Sequence, residues 1–140
     1  MYPEVLDTYR KVNEQFFGNP SSLHRLGNEA DALLQQSRKQ IAQLLGAQPD
    51  EIFFTSGGTE SDNWAIKGTA MEKFAAGKHM IASSVEHPAV SKSLEQLEKL
   101  GFEITYLPVD ADGIVSVEEL GKAIRKDTIL VSVMAINNEV

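Results

Sequence analysis

The sequence predicts an α/β fold, a sheet whose strands are joined by helical crossovers. Three observations carry that expectation. Short apolar runs of strand character alternate with longer segments of helical periodicity from about residue 51 onward. The last of these runs, T-I-L-V-S-V-M at residues 128–134, is almost wholly apolar, as a central strand covered on both faces should be. The 140 residues also contain no internal repeat, low-complexity stretch or interdomain linker to interrupt the alternation.

The elements follow in order. Residues 2–17 read as a first helix, because Val5, Leu6, Tyr9, Val12 and Phe16 recur near a 3.6-residue period. Gly18-Asn19-Pro20-Ser21-Ser22 breaks it with turn formers. A long helix is expected over about 27–45, with Ala30, Leu33, Leu34, Ile41, Leu44 and Leu45 on its buried side and Gly46 placed to stop it. Residues 51–55 read as a strand leading into Ser56-Gly57-Gly58-Thr59-Glu60-Ser61, then a helix through Trp64, Ala65, Met71 and Phe74. Residues 79–85 form the next expected strand. Pro88 suits the first turn of the following helix, which runs to Leu100 through Val90, Leu94 and Leu97. A strand over 102–109 precedes a turn and a short helix over 117–124, where Ser116 and Glu119 have capping-box spacing. The chain stops soon after the strand at 128–134, from which a truncated domain is expected.

Composition narrows the function. The hydrophobic fraction is 42% and the charged fraction 24%, values of an ordinary globular domain. A core of useful size requires nearly the whole chain to pack as one unit. A net charge of −7, with 13 scattered basic residues, argues against nucleic acid or an anionic membrane as partner. There is no cysteine, which removes disulfides, thiolate metal sites and a thiol nucleophile from this segment. No apolar run approaches the roughly 18 residues of a membrane span, and the first residues lack the pattern of a secretory signal. A cytoplasmic, soluble protein is the simplest reading.

The strongest local signal is the turn at residues 56–63. A Gly-Gly pair lets the backbone come close to a ligand, and the helix that follows presents N–H groups beside the Thr59 and Ser61 hydroxyls. That combination suits a phosphate. On geometry alone, a glycine turn with an ordinary Thr or Ser cap reads equally well. No Lys-Ser or Lys-Thr follows the glycines, so a nucleotide P-loop is disfavoured, and the Rossmann glycine pattern is absent. Asp110, Asp112 and Glu119 match most of a calcium-binding EF-hand loop. Its first ligand position falls on Pro108, and a strand pattern precedes it where a helix is needed. A polar turn around Gly113 is expected instead, and no metal site.

Four segments resemble successive motifs of the cysteine desulfurases: F-F-G-N-P-S-S-L-H (16–24), F-T-S-G-G-T-E-S-D-N (54–63), V-E-H-P-A-V (85–90) and I-N-N-E-V (136–140). Their order and spacing match, and the resemblance covers essentially the whole chain, although an aspartate- and threonine-bearing segment that usually opens the family is missing. These enzymes belong to the class V aminotransferase group. The resemblance therefore implies a three-layer, mixed, mainly parallel sheet, part of the large domain of the type I fold of pyridoxal-phosphate (PLP) enzymes. Residues 1–45 would supply amino-terminal helices and a loop at the active-site entrance, and 46–140 the first part of the PLP-binding large domain.

Carried over by position, the resemblance implies that Gly58 and Thr59 hold the cofactor phosphate. It implies that His87 stacks on the pyridine ring and moves protons as a catalytic residue, and that Asn138 bonds the phenolic oxygen. Without it, His87 reads as a capping or core histidine and Asn138 as a turn asparagine. Asn19, Ser21, Ser22 and His24 fit a structural role as well as a substrate contact. Lys67 lies outside the family's Ser-x-His-Lys context and reads as a solvated helix lysine.

The implied reaction converts L-cysteine to L-alanine and passes sulfur to an enzyme cysteine as a persulfide, for iron–sulfur cluster or thio-cofactor synthesis. The implied assembly is a homodimer, with a sulfur-acceptor or scaffold protein as a further partner. The Schiff-base lysine, the aspartate facing the pyridine nitrogen and the accepting cysteine are not identifiable here, so this chain alone is expected to be inactive. Selenocysteine lyase, another class V enzyme and a non-catalytic binding module remain alternatives.

Overall fold

Proline at a first helical position loses no hydrogen bond, because that N–H has no intrahelical partner. Helix α1 (Pro3–Gln15) begins there. The computed structural model describes residues 1–137, and the chain divides into two compact units between Phe54 and Thr55.

In the first unit the expected opening helix forms, yet none of its residues is buried, and Val5, Leu6 and Tyr9 are exposed. Asp7 pairs with Lys11 at 2.6 Å along its surface, a bond of the exposed kind that contributes roughly 0.3–0.5 kcal/mol. Helix α2 (Arg25–Leu45) is capped by His24, whose Nδ1 accepts the Gly27 N–H at 3.2 Å. It ends at Gly46, whose φ of 66° lies in the left-handed region that a side chain disfavours. Ala30 is buried as expected, and Leu33, Leu34 and Ile41 are half-buried. Leu44 and Leu45 are exposed, contrary to expectation. The chain reverses at Gly46 into a 3₁₀ turn (Pro49–Glu51) lying against α2, and of the last helical turn only Ala42 is buried.

The strand expected at 51–55 does not form. Ile52 has extended backbone angles, but no ladder partner stands beside it among the described residues. Its carbonyl accepts from the Arg38 guanidinium, which also lies 5.0 Å from the Phe54 ring centroid. A strand is a paired object, and extended propensity alone does not make one.

The second unit alternates as expected: α3 (Gly58–Glu72), β1 (His79–Ser83), α4 (Pro88–Glu98), β2 (Glu103–Leu107), α5 (Val117–Ala123) and β3 (Thr128–Ser132). The three strands form a parallel sheet in the order β2-β1-β3. The centre of the described sheet is therefore β1, all five of whose residues are buried, whereas β3 lies at an edge and is mostly half-buried. An apolar run reports how much burial a strand can use, and the position in the sheet depends on partners elsewhere in the chain.

Alternation along β1 sends Met80 and Ala82 to one face. There they meet Ile66 and Ala70 of α3, Val90, Leu94 and Leu97 of α4, and Phe102. Each large aliphatic side chain in that cluster contributes about 1.5–3 kcal/mol by leaving water. His79 faces the other way, and its ring nitrogens bond Thr128 Oγ1 at 2.7 Å and Thr105 Oγ1 at 2.8 Å. One central residue thus ties both flanking strands. Ahead of β1 the backbone passes so close to β3 that a Cβ on Gly77 would lie 2.1 Å from the Asp127 carbonyl oxygen. No helix among the described residues is long and apolar enough to cross a membrane.

Candidate functional site

Parallel strands end on the same side, here at Ser83, Leu107 and Ser132. Open α/β sheets bind ligands beyond such carboxyl ends. Helix α4 starts at that edge. Helix α3 delivers its C-terminal end toward the start of β1, so its first turn lies toward the same edge.

The first turn of α3 is built by its polar residues. Glu60, the third helical residue, turns back so that Oε2 accepts from the Ser56 N–H at 2.6 Å and the Ser56 hydroxyl at 2.8 Å. Those two bonds, the backbone one foremost, hold its carboxyl below the usual range and keep it ionised. Thr55 Oγ1 donates to the Gly57 carbonyl at 3.1 Å and sits 2.7 Å from Ser61 Oγ. The Ser61 hydroxyl is therefore engaged with Thr55. The helical ladder opens with the Ser61 N–H bonding the Gly57 carbonyl, so the N–H groups of Gly58, Thr59 and Glu60 precede it. The Thr59 hydroxyl has no partner among the described residues. A Cβ added to Gly57 or Gly58 would meet nothing within 4 Å. Among the described residues, neither glycine is required by the packing around it.

His87 is the N-cap of α4, and its Nδ1 accepts the Ala89 N–H at 3.0 Å. The capping role expected of an ordinary histidine is thus filled, which leaves Nε2 as the proton-bearing nitrogen of the neutral ring. His87 is exposed. No hydrogen bond joins it to the Thr59 turn among the described residues, although α3 and α4 pack together. Asn138 lies outside the described residues. Lys67 is half-buried rather than fully solvated, and donates from α3 to Gln96 Oε1 of α4 at 2.6 Å. In the first unit, Asn19 Oδ1 accepts from the Ser21 N–H at 2.9 Å, so Asn19 and His24 both have structural work.

Two residues at the carboxyl edge escaped sequence reasoning. Glu86 Oε1 accepts from Ser83 Oγ at 2.8 Å and from the Met134 N–H at 2.7 Å. Asn137 Nδ2 donates to the Val85 carbonyl at 2.9 Å. The only sequence signal was adjacency, since each immediately precedes a predicted site residue. A cleft of about 340 Å³ opens beside them, between Val85, Met134 and Asn137 on one side and the 112–115 turn on the other. Gly58, Thr59 and His87 do not line it.

The 110–116 segment forms the polar turn that was expected. Asp110 Oδ1 accepts the N–H groups of Asp112 at 3.0 Å and Ile114 at 2.9 Å, Gly113 takes a φ of 78°, and Val109 bridges Val115. Strand β2, rather than a helix, precedes it. Ser116 caps α5 by accepting the Glu119 N–H, but the Glu119 carboxylate pairs with Lys122 and leaves the capping box half-made.

Comparison with known proteins accords with this architecture. A protein of Lactobacillus delbrueckii subsp. bulgaricus described as a "NifS/IcsS protein homolog" is 57% identical over 140 residues, which is 100% of this chain and 36% of that protein. The cysteine desulfurase IscS of Dictyoglomus turgidum is 53% identical over 137 residues, 98% of this chain and 35% of that one. The chain thus spans about a third of the length of these relatives. A solved NifS-like protein superposes with a TM-score of 0.94 at 41% identity, over 100% of this chain and 38% of the other. The family model for class-V aminotransferases matches residues 1–140. On its sequence motifs, its parallel sheet and this full-length match, the chain belongs to the class-V aminotransferase family.

Proposed function

We propose that this chain is the amino-terminal part of a PLP-dependent cysteine desulfurase, and that the first turn of α3 holds the cofactor phosphate. The observation that carries the reading is the bare turn itself: among the described residues, leading N–H groups, a Thr59 hydroxyl with no partner, and open space over Gly57 and Gly58. A phosphate needs donors and room, and this turn has both. The nearby Glu60 carboxylate is directed to Ser56, which limits its repulsion of an anion. Identity above half to a relative named cysteine desulfurase supports the choice of reaction.

When bound, PLP supplies a conjugated ring that withdraws electrons from the substrate carbon bearing the amino group. The residues of this chain bind and orient. Gly58 and Thr59 donate to the phosphate, and Asn138 donates to the phenolic oxygen. His87, with Nδ1 committed to Ala89, offers Nε2 for contact with the ring and for proton movement. L-cysteine is the substrate, L-alanine the organic product, and a thiolate takes the sulfur as a persulfide. The chain has no cysteine, so that thiol belongs to the remaining length of the enzyme, as do the lysine that would hold PLP covalently and the aspartate facing its ring nitrogen. Residues 1–45 form helices and a loop of the entrance side, and 46–140 the first part of the large domain, within a cytoplasmic homodimer that passes sulfur to an acceptor or scaffold protein.

Thr59→Ala in the full-length enzyme tests the cradle. Loss of one hydrogen bond to a charged group should raise the PLP dissociation constant by roughly ten- to a hundredfold, with the melting temperature of the apoprotein unchanged. Unaltered PLP affinity would remove Thr59 from the site.

A further inference from the structure

The β1–β3 ladder runs out at the pair Ala82 and Ser132. Beyond it, among the described residues, no strand pairing holds the segment that follows β3 against the turn that follows β1. Side chains take over. Glu86 Oε1 receives the Ser83 hydroxyl and, across 48 positions of sequence, the Met134 N–H. Asn137 returns the connection by donating to the Val85 carbonyl, across 52 positions, and to Met134 Sδ at 3.3 Å. Both donors to Glu86 are neutral, and a carboxylate oxygen accepts two such bonds more strongly than an amide oxygen would. Each clamp residue directly precedes a proposed site residue, Glu86 before His87 and Asn137 before Asn138.

We propose that Glu86 and Asn137 are positioning residues, a two-point clamp that holds the turn carrying His87 against the segment after β3. The proposal rests on the PLP reading above, but its mechanical part does not. The Ala89 N–H fixes the direction of the His87 ring, while Glu86 fixes where its backbone stands relative to the segment after β3. Loss of the clamp should therefore misplace His87 without removing it.

The test uses the full-length enzyme with Glu86→Ala, Glu86→Gln, His87→Ala and the double variant Glu86→Ala/His87→Ala. Amide exchange in the apoprotein reads the clamp alone. Glu86→Ala should speed exchange at 84–87 and 133–137 by roughly tenfold or more, Glu86→Gln by less, because its amide oxygen can still accept both bonds. Unchanged exchange in Glu86→Ala would overturn the clamp. PLP titration then reads the positioning. Each single alanine variant should weaken PLP binding by about tenfold, and the double variant should be little worse than His87→Ala, since residues acting through one another are not additive. Full additivity would overturn the positioning role and leave Glu86 a structural residue. Failure of the wild type to bind PLP would sink the cofactor reading while the exchange result still decided the clamp.

Discussion

Burial favours the neutral form of a histidine held between two threonines. His79 is 1% exposed, and burial, followed by the Arg125 charge, lowers its pKa, while Asp127 and Glu103 oppose the shift. The unfolded chain binds a proton at His79 below about pH 6.5, and the folded chain does so only at lower pH. Stability is thus complete above that value and falls as the pH drops toward the folded pKa. Melting between neutral pH and about pH 5 should fall more steeply in the wild type than in His79→Gln, the difference isolating this group from the carboxylates. Parallel curves would show that His79 contributes nothing. At this scale sequence reading did well where chemistry repeats within a few residues: Pro88 at its helix start, Gly46 at its helix stop, the glycine pair leading into α3. It missed Glu86 and Asn137 because their partners lie about fifty positions away, and no local pattern announces such a bond. His79 escaped for the same reason, its threonines standing 26 and 49 residues off.

Elements were legible where periodicity is long and partners are close in sequence. Helices α2, α3 and α4 and strands β1 and β2 lie where hydrophobic spacing put them, within a few residues at their ends. The apolar stripe of α1 predicted its helix correctly, yet none of its residues is buried, since amphipathicity states a need for a partner without supplying one. The strand expected at 51–55 does not form, because extended propensity alone does not make a ladder. Close approach between elements is sharper than either, and two glycines measure it. Gly77→Ala forces its new methyl onto the Asp127 backbone and should cost about 1–3 kcal/mol, lowering the melting temperature of the full-length protein. Gly68→Ala, inside α3 with nothing within 4 Å of the new atom, should raise it, by about 0.5–1 kcal/mol of helix propensity. Equal effects at the two positions would mean that the β1–β3 approach is looser than described.

On the proposed reading, the first turn of α3 is a phosphate cradle whose covalent lysine belongs to the remaining length of the enzyme. Capture of PLP by an amine needs a lysine that is desolvated or beside another cation. Lys67 gives its ammonium to Gln96, and Lys122 is held above its ordinary pKa by Glu118 and then Glu119. Incubating the 140-residue chain with PLP and reducing with borohydride should give scattered, substoichiometric labelling, with no sulfide released from L-cysteine. One stoichiometric lysine together with sulfide release would show that the chain is an enzyme by itself. A different consequence follows from the central place of β1. Its partner β2 is complete once Leu107 has been made, but the other edge of β1 has no cover until β3 ends at Ser132. At about 5–20 residues per second, synthesis leaves that buried-to-be edge open for on the order of one to five seconds. During that interval the nascent chain presents Met80, Ile81 and Ala82 with one side of their backbone unpaired, a natural target for a holdase and a hazard wherever translation pauses between Leu107 and Ser132.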